Sequence, residues 1–528
     1  MANFLSLSQS SKNAVLTLIV FVLAFDLAFV GQKLGGAYQN EFGGDRQEAA
    51  HFMAGLYWRD LAVSMWRDRV EGKRESLSEQ KKAFTQNWTA HYPYLGAGSG
   101  RSLFHVLEGV WMLAFPATRG SLLILMAVIA GILATQVFRA LQPEYGWAGA
   151  GLAAACLLVL PPIRKFTGLA MPDLLCGIFV FGAVMAYGNF LDREKARDIW
   201  LAGILGALAM LTREPGVDLV SVLGGATIAA RKLRLLRRPA AWGTLVFLFF
   251  VSVCQRAWLP GDNVEVSLYS YVSQFASGLG WGVGALTVIG FLVAFARKGE
   301  FEGRWTVAGA LLLFTVCSPI ASRWPAVLRA ALPAALMFAL AGGAWVVRWV
   351  SSRPGWSGKG AKFRVSFAAV LGALVLVSAT GPWRREACTG FAPLVETLIA
   401  DSAPGDVTLV SSDPSGEERF IAELAAREQR PGHTVLCGTQ ILANPGKKFI
   451  ADEPAFPGDQ AVFEFLTSGK IKYIALDDDV PDEDRREHHY QLRRAIEEHL
   501  NRFWVIASCP VTRDGVTQST PAKLYKIK

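Results

Sequence analysis

Three ionisable side chains recur at helical spacing near residue 48. In the stretch Glu41-Phe-Gly-Gly-Asp45-Arg-Gln-Glu48-Ala-Ala-His51-Phe, a helix over 45–60 would put Asp45, Glu48 and His51 on one face, because side chains three and four apart are neighbours. Two acids and an imidazole so arranged suit a general base or a divalent-metal site. The same pattern also describes a capped, solvated amphipathic helix. Further on, His91-Tyr92-Pro-Tyr94-Leu-Gly-Ala-Gly-Ser-Gly100 suits either a tight loop near a ligand or a plain connector. Further charges stand singly at the edges of apolar runs: the pair Arg164 and Lys165, the arginines Arg213, Arg323 and Arg329, and Asp173 following Met-Pro. Such cations can hold a phosphate. Arg164 and Lys165 equally suit anionic headgroups, and Asp173 equally suits a helix N-terminus, where the dipole favours an acid.

The elements that must position these residues are apolar. Of 528 residues, 52% are hydrophobic and 18% charged, against about 25% charged in a soluble domain. Mean hydropathy is +0.30. A purely cytosolic or disordered chain is excluded. Eleven apolar runs are predicted to be membrane helices: 14–30, 121–138, 146–163, 174–191, 199–212, 216–230, 241–258, 279–296, 305–320, 326–349 and 365–380. The pair 199–212 and 216–230 is short and reads as two thin spans or one re-entrant hairpin. With a cytoplasmic N-terminus, basic residues crowd the inner connections, most densely Arg231, Lys232, Arg234, Arg237 and Arg238. The positive-inside rule therefore puts residues 381–528 on the outer side, and it explains a net charge of +9 without nucleic acid. Arg213, Arg323 and Arg329 stand at outer ends against that bias, which marks them for function. The seven cysteines are scattered, with no zinc or redox spacing.

Two segments lie outside the bilayer. The division expected is 1–380 as a transmembrane domain, including an outer loop 31–120, and 381–528 as a periplasmic α/β domain. In the loop, 102–116 is amphipathic and is predicted to lie along the interface. The tail alternates strands at 406–411, 433–437, 472–476 and 504–507 with helices at 417–429, 461–469 and 489–503, which predicts a partly parallel sheet. The acidic run Asp477-Asp-Asp479 reads as a solvated loop.

The order of anchor, long outer loop, interfacial helix, many spans and outer α/β tail resembles the integral-membrane glycosyltransferases of the C superfamily. The nearest members are the bacterial relatives of protein O-mannosyltransferases (glycosyltransferase family 39) and of lipid A aminoarabinose transferase. The resemblance is carried by Gln47-Glu48-Ala-Ala-His51, Gly55-Leu-Tyr-Trp-Arg59-Asp60, His91-Tyr-Pro93, Gly109-Val-Trp111, Met171-Pro-Asp173, Leu211-Thr212-Arg213, Arg329-Ala-Ala-Leu-Pro333 and Arg430-Pro-Gly-His433. It implies a fold with about eleven transmembrane helices in the cytoplasmic membrane of a cell envelope. It implies a polyprenyl-phosphate sugar as donor and a glycan, lipid or protein acceptor, with membrane lipids as further partners. The implied reaction inverts the anomeric carbon, with Glu48 as the acid/base and Asp45, two residues before the aligned pair, as its substitute. Asp173, His51, His91 and Tyr92 would orient acceptor or loop. Arg213, Arg329, Arg164, Lys165 and Arg323 would hold the phosphate. No cofactor is demanded, although a divalent metal is compatible.

Where the family has an Asp-Glu pair, this chain has Gln47-Glu48. Ser99-Gly-Arg-Ser102 stands in place of His-Trp-Pro-Pro, and Arg213 in place of Lys. These departures keep open a catalytically degenerate relative that binds a lipid-linked sugar or assists envelope glycan assembly; a second alternative, a transporter, has the large outer α/β tail and the long first loop against it.

Overall fold

The computed structural model describes residues 9–43, 45, 47–72, 76–93, 102–213, 219–258, 278–296, 303–317, 324–352, 368–373, 377, 387–428, 432–444, 453–482 and 484–528. The chain divides into two compact units. One comprises Met1–Gly35, Leu123–Gly168 and Pro172–Trp383; the other comprises Gly36–Leu122, Leu169–Met171 and Arg384–Lys528.

The first unit is helical. It holds α1 (Gln9–Leu34) and most of α5 (Arg119–Val159). The short α6 (Pro161–Thr167) leads to α7 (Asp173–Arg193) and α8 (Ala196–Thr212). Then come α9 (Leu219–Ala229), α10 (Pro239–Trp258) and α11 (Trp281–Ala296). Last are α12 (Gly303–Cys317) and α13 (Trp324–Ser351). Apart from the short α6, each coincides with one predicted apolar run or, in α5, with two; most of the predicted run 365–380 lies outside the described residues. Four described helices are long and apolar enough to cross a bilayer: Ser11–Leu34, Arg119–Val159, Asp173–Arg193 and Arg329–Ser351. The chain is a multi-pass membrane protein.

The predicted run 121–138 and most of 146–163 fall within α5, and the end of the second run opens α6. The break between them is Gly146, at φ 69° and ψ 178°, a conformation that a side chain would oppose. Glycine also lets α11 and α13 touch. A Cβ on Gly290 would stand 1.8 Å from the Phe338 carbonyl oxygen. Small residues at such crossings supply the van der Waals contact that drives helix association in lipid. The helix α7 is tied at both ends by charge. Asp173 opens it, and at the other end Asp192 accepts the Gly303 N–H at 2.8 Å and Glu194 pairs with Arg234 at 2.7 Å and with Arg238.

The second unit joins the loop that follows α1 to the tail. The loop forms α2 (Glu48–Val70), α3 (Leu77–His91) and α4 (Leu103–Ala114). The tail forms α14 (Phe391–Asp401), α15 (Pro414–Arg427), α16 (Asp459–Thr467) and α17 (Glu487–Glu498) around a five-stranded sheet. Its strands are β1 (Val407–Ser411), β2 (Thr434–Cys437), β3 (Ile471–Leu476), β4 (Phe503–Cys509) and β5 (Ala522–Ile527), in the order β2-β1-β3-β5-β4. The pairs β1/β2 and β1/β3 are parallel; β3/β5 and β5/β4 are antiparallel. Leu409, Ile474, Leu492, Ile496 and Tyr525 pack in its core.

The partly parallel sheet matches expectation, but α14 and β5 were not read from sequence. The grouping also differs from the expected division at 380. The loop 36–122 belongs with the tail because α15 packs on both α2 and α14. Glu41 caps α14, accepting the N–H groups of Gly390 and Ala392 at 2.8 Å. The Asp477–Asp479 run is no solvated loop. Asp477 is buried and pairs with Arg513, which also holds Asp413 at 2.6 Å.

The polarity of α4 is reversed relative to a soluble helix. Val106, Val110 and Leu113 are exposed, while His105 and Glu108 are buried. An apolar outer stripe at i, i+4 and i+7 fits the predicted interfacial position.

Candidate functional site

The acid predicted as catalytic, Glu48, is the first residue of α2 and has no exposed surface. One carboxylate oxygen accepts from Arg119 Nε at 3.0 Å and from the Ala170 N–H at 3.1 Å; the other accepts from the Gly43 N–H at 3.2 Å. Arg119, itself buried, donates onward to the carbonyls of Ala37 and of Asn40, the latter at 3.2 Å. Glu48 thus gathers three parts of the second unit: the 37–43 segment, the start of α5 and the 169–171 segment.

Asp45 precedes this helix rather than sharing its face, since α2 begins at Glu48. Its carbonyl accepts the Glu48 N–H at 3.1 Å, its carboxylate accepts the Gln47 N–H at 3.3 Å, and it is half-exposed. His51 lies one turn into α2, with Nδ1 2.7 Å from His105 Nε2. The two imidazoles bond to each other instead of presenting lone pairs to a cation. Among the described residues no group of three or more His, Cys, Asp or Glu side chains is assembled as a metal site.

Sequence reasoning passed over Glu108. It is fully buried on α4, and neither carboxylate oxygen has a hydrogen-bond partner. Burial, with the Glu48 charge adding to it, pushes its carboxyl well above the ordinary range. Gly55 makes room for it: a Cβ there would stand 2.7 Å from the Glu108 Cβ. The signal was present as His105-x-x-Glu108, polar residues three apart inside an apolar stretch. Arg119 was also missed, although it is a further basic residue beside an apolar run.

His91 and Tyr92 engage the tail. His91 Nδ1 is 3.1 Å from the His433 carbonyl, and the Tyr92 hydroxyl donates to Glu428, which also accepts the His433 N–H at 2.8 Å. The glycine-rich stretch 94–101 lies outside the described residues, as does Arg323.

In the first unit, residues predicted to act separately form one cluster. Asp173 is buried, and its two oxygens receive Arg213 and Arg329 separately. Arg213 is the first residue beyond α8, where the backbone turns extended. The Arg329 guanidinium lies over the Phe166 ring, 4.2 Å from its centroid. Immediately before that ring stand half-buried Arg164 and exposed Lys165. Two guanidiniums face one carboxylate, so the cluster carries a net positive charge with both cations partly exposed, at 22% and 15%. That excess is the electrostatic requirement for taking up a further anion.

No family model and no curated protein sequence matches the chain. Solved structures do. ArnT from Cupriavidus metallidurans matches over 98% of this chain and 98% of its own, with TM-score 0.58 and 14% identity in the apo state. Bound to undecaprenyl phosphate it matches over the same shares, with TM-score 0.53 and 12% identity. The Archaeoglobus fulgidus oligosaccharyltransferase, tethered with an acceptor peptide containing the NVT sequon, matches over 97% of this chain and 74% of that one, with TM-score 0.52 and 12% identity. Those proteins and this chain share a fold.

Proposed function

From that shared fold we propose that the chain is a glycosyltransferase that moves a sugar from a polyprenyl-phosphate carrier to an acceptor on the outer face of a bacterial cytoplasmic membrane. The observation that carries the reading is the Arg213–Asp173–Arg329 cluster with its excess cation, joined by Arg164 and Lys165 and placed where topology puts few basic residues. The bound undecaprenyl phosphate in one structural neighbour agrees with it.

The acceptor oxygen attacks the anomeric carbon and loses its proton to a carboxylate. The bond from that carbon to the phosphate oxygen breaks, and the electron pair leaves with the polyprenyl phosphate. Configuration inverts. The two guanidiniums stabilise charge as it gathers on the departing phosphate. Of the two loop acids, Asp45 has the exposure a proton acceptor needs. Glu48, its oxygens already taking three N–H donors, holds Asp45's segment in position. His51, His91 and Tyr92 order the loop.

The test begins with mass spectrometry of lipid that co-purifies with the protein, then single-turnover transfer from that donor. Asp45→Asn is expected to lower turnover by about 10²–10⁴-fold, the usual weight of a positioned general base, with donor binding retained. Loss of turnover in a folded Glu48→Gln variant, with Asp45→Asn active, would make Glu48 the base. The degenerate-relative reading keeps one observation in its favour: Gln47 is an amide, unable to take a proton at neutral pH. It predicts bound lipid-linked sugar and no transfer in the wild-type chain.

A further inference from the structure

The second unit contains a cavity of about 420 Å³, set between α2 and α3 and bounded at one end by His91, Tyr92 and Glu428. That volume is in the range of small-molecule sites. One wall is a face of α2 carrying Arg59, Asp60, Ser64 and Arg67; the other is a face of α3 carrying Phe84, Asn87 and Trp88. Aromatic rings run along the second wall, with Phe84 and Trp88 centroids 5.9 Å apart and Trp88 and Tyr92 5.1 Å apart.

Donors and acceptors in the lining do not balance. Trp88 is 4% exposed, and its buried Nε1–H has no acceptor. An indole nitrogen can only donate. Arg59 Nε is likewise buried without a partner, while its Nη1 holds Asp60 at 2.8 Å. The other carboxylate, Glu428, is already taken by Tyr92 and by His433. Arg67 pairs with no carboxylate among the described residues. The cavity therefore offers N–H groups in search of acceptors, one uncompensated guanidinium, and aromatic surface.

We propose that this cavity binds an acidic saccharide unit. Its hydroxyl and carboxylate oxygens would satisfy the Trp88 and Arg59 donors, its charge would pair with Arg67, and its C–H face would lie on the aromatic wall. A neutral sugar would leave Arg67 unmatched, and a plain anion would leave the rings unused. This reading stands whether or not the chain transfers sugar.

The test is a titration of the detergent-solubilised full chain with trigalacturonate, and with maltotriose as the neutral counterpart. Trigalacturonate should bind saturably, at least about tenfold tighter than maltotriose, and more weakly at high salt. Arg67→Ala should weaken that binding by about tenfold or more, the loss of one charge-assisted hydrogen bond. Trp88→Phe keeps the ring and removes the N–H, and should weaken it as well. Arg67 is exposed, so its variant folds even if the Trp88 variant does not. Equal binding of maltotriose, no saturable binding of either sugar, or unchanged trigalacturonate affinity in Arg67→Ala would overturn the proposal.

Discussion

Among the buried acids that arginine holds, Glu48 and Asp173 are held for opposite ends. Glu48 has one guanidinium and two backbone N–H donors, all inward, and neither it nor Arg119 reaches solvent to any extent. Charge is balanced and the site is closed. Asp173 is equally buried, but it sits between two guanidiniums that remain partly exposed. Charge there is in excess and the site is open. The number of cations per carboxylate, and which of them meets water, separates a closed, balanced ion pair from an open one with charge to spare.

The largest expected effect tests the closed pair. Arg119→Ala leaves the Glu48 carboxylate buried and unpaired, which costs about 3–5 kcal/mol of stability. Thermal unfolding in detergent should show it, while molecules that remain folded bind carrier as before. Intact stability with lost carrier binding would invert the comparison.

Acids held neutral by burial come next, in the same unit as Glu48. Glu108 is pushed well above its ordinary value, and Glu417, buried beneath Thr439, is raised to about 8. Each favours the folded state fully below the unfolded value near 4.5. That contribution is lost as pH rises through the folded value, because the unfolded chain ionises first. For Glu417, a shift from 4.5 to about 8, it amounts to roughly 5 kcal/mol across that window. Melting temperature should fall over that window in the wild type, and less steeply in Glu417→Gln and Glu108→Gln. Parallel pH profiles in all three would show that neither acid is held neutral.

The open cluster gives a smaller, different signature. Arg213→Ala or Arg329→Ala should weaken lipid-carrier binding by about 1.5–3 kcal/mol with little change in melting. Asp173→Asn should keep carrier affinity and reduce turnover if the acid orients the acceptor. Unchanged carrier affinity in both arginine variants would remove them from the site. Smallest of all is Lys165→Ala. Lys165 is exposed, so its loss should cost carrier binding less than about 1 kcal/mol and flatten the salt dependence. A larger loss would bring Lys165 into direct contact with the phosphate.

Much of this architecture was legible as pattern. Long apolar runs became helices because lipid leaves few other solutions for the backbone, and alternating strand and helix runs in the tail became a mixed sheet. The misses have physical causes. The strand β5, Ala-Lys-Leu-Tyr-Lys-Ile, carries lysines where a reader expects a solvated chain end, and only its antiparallel pairing with β3 and β4 gives it a place. The union of loop 36–122 with the tail depends on contacts hundreds of residues apart, such as Glu41 with the start of α14, which no local period encodes. At the site, the acids and arginines were visible by type and position. Their partnerships were not. Spacing offered Asp45, Glu48 and His51 as one set, whereas folding gave Glu48 to Arg119 and His51 to His105.

The helix between Asp173 and Arg193 has 21 residues, and so measures roughly 31 Å. At one end sits the Arg213–Asp173–Arg329 cluster; at the other sit Asp192 and Glu194 with their partners Gly303, Arg234 and Arg238. Both layers seek water, and the rod between them is fixed in length, so α7 works as a gauge of bilayer thickness. In a hydrocarbon layer a few ångströms too thick, one charged layer is drawn inward or the bilayer must pinch around the protein, at fractions of a kcal/mol per ångström. Acyl-chain length in the surrounding lipid thereby becomes a control on how wet the arginine cluster is, with no change in any residue.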